Sequence, residues 1–260
     1  MNLSKIFTLA VGLILAASMT SCDVDEICTS GQGSVVDSTF VVPTFTGFDL
    51  QINGNVYLRQ GDQQSVRVVG QPNMLEKLNL SVGNQVWDID LQGCVRNYEP
   101  LEVYITIPEV DYVRVSGSGN VQADSVLRID DGEIVLSGSG NIRLPLDADF
   151  VYSTITGSGN IDLDLLVATK LETRITGSGN YFLQGEVPIH QTEIVGSGNM
   201  RGFDLATTET DVKISGSGDA EVFVSDTLNI DISGSGDVAY KGNPSLGVKV
   251  TGSGRVVDAN

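Results

Sequence analysis

The sequence predicts an all-β fold: a right-handed parallel β-helix (β-solenoid) with a β-rich cap at its N-terminal end. Three observations carry that expectation. The tripeptide GSG occurs eight times, at intervals of 18–21 residues. An aliphatic residue stands two positions before every copy, inside a run of alternating apolar and polar residues. β-Branched residues dominate those runs, and no comparable helical periodicity occurs.

Residues 1–21 read as an export leader. Lys5 gives a positive start, and the apolar run at 6–17 is short for a membrane span but suits a secretory signal. The small residues that end at Cys22 resemble the lipobox of bacterial lipoproteins. That resemblance implies acylation of Cys22, with palmitate for example, and attachment to a membrane without a spanning helix. The alternative is an ordinary signal peptide cut nearby.

Residues 22–38 read as a tether. Its acidic run, Asp23-Val24-Asp25-Glu26, resembles tethers that accompany surface display in some Gram-negative groups. Cys28 and Cys94 are a candidate disulfide that would staple tether to domain; two unpaired thiols are the other reading.

Residues 39–110 form an N-terminal β section of degenerate coils and cap. FDLQINGNVYLRQ at 48–60 alternates, and its Ile52-Asn53-Gly54-Asn55 looks like an eroded copy of the later corner. SVRVVG, QVWDIDLQ and LEVYITIP follow as further strands. Trp87, the only tryptophan, is expected in the core or cap rather than as a sugar platform.

Residues 111–260 carry the repeats. The first glycines of the copies are Gly117, Gly138, Gly157, Gly177, Gly196, Gly216, Gly234 and Gly252; the second are Gly119, Gly140, Gly159, Gly179, Gly198, Gly218, Gly236 and Gly254. Asn120, Asn141, Asn160, Asn180 and Asn199 follow the first five copies, then Asp219, Asp237 and finally Arg255. The aliphatics two residues ahead are Val115, Leu136, Ile155, Ile175, Ile194, Ile214, Ile232 and Val250. Each copy therefore reads as strand, corner, strand and variable return path, stacked in register on the next. Glycine suits the corner because it accepts positive φ and close approach, and stacked Asn side chains can bond to their equivalents one coil away. Leucine-rich, propeller and RTX repeats fail on spacing. Right-handed winding is the default for parallel crossovers.

The formal charge of −18 repels phosphate backbones, which argues against nucleic-acid partners. It leaves membrane attachment to the lipid. The final GSG lies six residues from Asn260 with no capping helix after it, so end-to-end self-association is an expected mode of contact.

Taken together, the lipobox-like start, FDLQINGNVYL, ITIP at 105–108 and the serial GSGN/GSGD copies resemble the bacterial DUF2807 family, the auto-transporter adhesin head GIN domain. The resemblance covers roughly residues 40–258. It implies a right-handed β-helix in exported, often lipid-anchored proteins of Gram-negative bacteria, at the cell surface or the periplasmic face of the outer membrane. It carries over no catalytic residues. Unlike an autotransporter, the sequence shows no C-terminal barrel.

The leading functional expectation is non-enzymatic adhesion, or binding of an extracellular glycan or protein, on outward strand faces and variable return loops. A polysaccharide-active β-helix enzyme and a self-associating structural envelope protein are the alternatives. Outward acids such as Asp162, Asp164, Glu193, Glu221 and Asp231 could pair by stacking, as a glycosidase requires. No outward aromatic cluster is evident. His190, the only histidine, is expected in a loop and cannot build a zinc site alone. No cofactor is expected. Asp219 and Asp237 are weak candidates for sharing Ca²⁺; a solvent-facing corner is the plainer reading.

Overall fold

The computed structural model describes residues 28–260; the leader and Cys22 lie outside them. Extended chain dominates, with one short helix at Pro72–Leu75. The strands Asn141–Gly157, Asn160–Gly177, Asn180–Gly196, Asn199–Gly216 and Ala220–Gly234 each run from just after one corner to the first glycine of the next. Each pairs in parallel with its successor. The fold is a β-solenoid. Its register runs through equivalent residues: Ile155 beside Ile175, Ile194, Ile214 and Ile232 in turn.

These aliphatics are buried, as are Val121, Ile142, Ile161, Tyr181 and Met200 on the strand after the corner. Full burial of one such side chain contributes roughly 1.5–3 kcal/mol. Between the two apolar rows the core turns polar, with Ser153, Thr173 and Thr192 buried in three successive coils.

At the corners, backbone hydrogen bonds between coils continue without a break. Gly157 O accepts from both Ser178 N, at 2.9 Å, and Gly179 N, at 3.0 Å. The same pair of bonds recurs from Ser197 and Gly198 to Gly177 O. Two separate demands for glycine follow. Gly177 has φ +134°, a conformation that side chains resist. A Cβ on Gly179 would fall on the carbonyl oxygen of Gly159 in the preceding coil. Among the corner glycines positive φ occurs only in the later copies, from Gly177 to Gly252; at Gly117, Gly138 and Gly157 close stacking alone excludes a side chain.

The residue after each corner forms a ladder. Asn120 Nδ2 donates to Asn55 Oδ1 at 2.9 Å, and Asn141, Asn160, Asn180 and Asn199 continue it at 2.8–3.0 Å. Beyond Asn199 the donor changes to backbone: Asp219 N, Asp237 N and Arg255 N each donate to the carboxamide or carboxylate one coil back.

Gly47–Leu50 and Gly54–Gln60 form a coil in register with Tyr112–Val115 and Asn120–Ala123, so the eroded copy at 52–55 sits at a corner. Coils here do not stack in chain order. Val86–Ile89 and Leu101–Ile107 lie on the far side of that first coil, so the chain steps outward and then returns past it. The outermost coil is covered by antiparallel strands: Ser65–Gly70 on Leu101–Ile107, Val36–Phe40 on Ser65–Gly70, and Val82–Gly83 folded back on Val86–Ile89. Trp87 is fully buried there, its Nε1 donating to Asn79 O. Cys28 and Cys94 are bonded, closing a 66-residue separation. Such a closure removes unfolded-chain entropy worth about 4 kcal/mol.

Gly179→Ala is expected to destabilise the protein by about 1–3 kcal/mol in urea unfolding, because the added methyl must push a carbonyl aside. Ser178→Ala, one residue away and exposed, should change stability by no more than about 0.5 kcal/mol.

Candidate binding surface

Stacking turns single outward residues into columns along the solenoid axis. One column carries Arg174, Glu193, Lys213, Asp231 and Lys249 in successive coils, alternating in sign. Arg174 pairs with Glu193 at 3.2 Å and Lys249 with Asp231 at 2.9 Å. On the strand after the corner, Arg143 pairs with Asp162 and Arg201 with Glu221. Register thus sets four of the five singled-out acids against a base rather than against a second carboxylate. Asp164 lies between Pro145 and Gln184. The stacked carboxylate pair that a glycosidase needs does not form at these positions.

The neighbouring column is different. Tyr112, Glu133, Tyr152, Glu172, Gln191, Asp211 and Asn229 follow one another coil by coil. They line three shallow depressions that join end to end, the first two sharing Tyr152 and the last two sharing Asp211 and Lys213. At one coil per 4.8 Å the trough is roughly 30 Å long. Asp211 accepts from Gln191 at 3.3 Å and Asn229 at 2.9 Å.

The widest part, about 500 Å³, lies at the N-terminal end. Phe150 joins Tyr112 and Tyr152 there, with Asp111, Asp131 and Glu133 around them. Its wall is a hairpin tip in which Asn84 and Gln85 both have positive φ, 52° and 64°, the pattern of a type I′ turn. Gln85 O anchors that tip by accepting from Thr46 N and Gly47 N. Here the structure corrects the expectation of no aromatic cluster. Tyr112 and Tyr152 are forty positions apart in the chain, and only the register unites them. A second aromatic group, Tyr57 stacked on Tyr104 with the Arg67 guanidinium over it, sits beside the cap.

His190 is also corrected: it lies in the strand Asn180–Gly196 and is buried, not in a loop. Its return path is extended chain that packs inward. Thr173 donates its hydroxyl to Thr192 at 2.9 Å, leaving its oxygen to accept from His190 Nε2 at 3.1 Å. Alongside, the Tyr181 hydroxyl donates to Ser153.

The other singled-out acids serve the corner column. Asp219 Oδ1 and Asp237 Oδ1 accept backbone N–H groups, and Asp237 is ion-paired with Arg255. The Arg255 guanidinium holds the Asp237 carboxyl below the usual carboxylate range. Among the described residues no group of three or more His, Cys, Asp or Glu is placed to hold a metal ion.

Comparison with known proteins fits this geometry. The family model described as "Putative auto-transporter adhesin, head GIN domain" matches residues 44–244. The chain belongs to this family. Among solved structures, a "putative adhesin" from Parabacteroides distasonis is 25% identical, with 87% of this chain and 98% of that chain covered and a TM-score of 0.84. A "putative adhesin" from Parabacteroides merdae is 24% identical over 88% and 99%, also at 0.84. A "Putative lipid binding protein" from Parabacteroides distasonis, 21% identical over 88% and 99%, shares the fold at 0.84. No curated protein matches this GIN-domain chain.

Burial lowers the His190 pKa from 6.5 to about 4. Between those values the unfolded chain binds a proton that the folded chain excludes, so stability rises with pH across this window and is lost as pH falls. His190 should contribute a loss on the order of 3 kcal/mol between pH 7 and pH 4. The check is a set of urea titrations at several pH values, in which wild type should lose about that much stability relative to His190→Leu on acidification.

Proposed function

We propose that this protein is a non-enzymatic adhesin of the cell envelope, tethered by lipid on Cys22, whose axial trough captures an extended glycan. The observation that carries this reading is the column from Tyr112 to Asn229. It offers aromatic faces at one end and carboxylate and amide groups at coil spacing along the rest. Aromatic rings stack on sugar C–H faces, while carboxylates and amides exchange hydrogen bonds with hydroxyls. A neutral polymer meets no repulsion from a chain of charge −18. Family membership and neighbours named as adhesins support the adhesive role.

Two measurements test it. Protease shaving of intact cells should cleave the protein while a periplasmic control survives; protection until the outer membrane is broken would end the surface-adhesin reading. On a glycan array, Tyr152→Ala should weaken capture of any bound glycan about tenfold, the loss typical of an aromatic anchor. Unchanged capture would move the site off the trough, and release of cut products would replace adhesion by catalysis.

A further inference from the structure

The two ends of the solenoid differ. At the N-terminal end, antiparallel strands cover the outer edge of both strands of the outermost coil. At the other end the outermost described strands, Ser245–Gly252 and Val256–Asp258, have partners on one side only: Ala220–Gly234 and Val238–Lys241. The inward row of Ser245–Gly252 shows the consequence. Leu228, Ile230 and Ile232 are 0%, 3% and 0% exposed, while their register partners Leu246, Val248 and Val250 are 46%, 49% and 39% exposed.

We propose that this bare edge pairs with the same edge of a second copy, tail to tail, along Ser245–Gly252. The inward row is the continuation of the coil-to-coil interface that runs through the whole molecule, and a second copy supplies the missing apolar layer. A two-fold, antiparallel pairing centred on Val248 sets Leu246 against Val250 of the other copy. It also sets Lys249 against Gly247, so no like charges meet across the strands. Charge does not oppose contact at this end. Residues 245–260 carry Lys249 and Arg255 against one acid, Asp258, in a chain of net charge −18. Both cations are matched by acids in the preceding coil, Asp231 and Asp237. Because the opposite end is capped, tail-to-tail pairing closes at two copies and does not propagate into a fibre.

Sedimentation of the full chain carrying Cys22→Ser, from low to high micromolar concentration, tests the proposal. Reversible doubling of mass is expected, and Val248→Asp should return the protein to a monomer. Single cysteines give a second readout that does not depend on tolerating a charge. Val248→Cys should form a disulfide-linked dimer under mild oxidation, and Thr39→Cys on the cap strand Val36–Phe40 should not. A monomer at every concentration overturns the proposal, as does a dimer that survives Val248→Asp. Equal cross-linking from both cysteine positions does so as well.

Discussion

Everything in this molecule depends on coils approaching closely enough at the corner for backbone N–H to meet carbonyl oxygen across the gap. Gly157 O takes two such bonds, from Ser178 and Gly179, and the pattern repeats upward. Any Cβ at the second glycine would occupy the space of the carbonyl below. Bonding through the corner keeps the coils in one register, and that register then buries the aliphatic rows and aligns the Asn ladder. The links of the side-chain ladder are exposed or half-buried, so each adds less than the roughly 0.5–1.5 kcal/mol of a buried hydrogen bond. The ladder reinforces a register the backbone has already set.

Fixed register also organises charge. An isolated surface ion pair contributes about 0–1 kcal/mol, so the alternating column from Arg174 to Lys249 is a minor source of stability. Its effect is spatial. It neutralises one flank of the trough and leaves carboxylates uncovered at the Tyr112–Tyr152 end. A chain with a large overall negative charge thereby presents distinct strips rather than a uniform acidic surface.

Much of the fold was legible in the sequence because its information is periodic. GSG fixed the corners, the preceding aliphatic fixed the buried face, and even the eroded copy at 52–55 could be placed. Neighbours across coils were harder to read. Repeats differ in length, and the excess is absorbed by register shifts in the return path, such as those between Leu165 and Lys170 or Gly202 and Ala206. The segments next to the corner carry none in these pairings. Counting along the chain therefore predicts which residues face out but loses alignment in the return path, where His190 lies. The trough was missed for a related reason. Phe150 and Tyr152 share a strand face two residues apart, a pairing the alternation shows, but Tyr112 joins them only when coils are superposed. The order of the first coils was hidden too, since no local signal marks a chain that steps outward and returns.

That inversion at the N-terminal end has a kinetic meaning. The coil at 47–60 is flanked by segments that come later in the chain, so it cannot be completed until residues up to about 123 are available. Closing that unit means joining distant segments, which is entropically slow. Every later coil closes a loop of only 18–21 residues onto a surface already formed. The molecule is thus built to start with one difficult assembly step and then zip, each finished coil serving as template for the next. A chain that emerges N-terminus first meets its hardest step first.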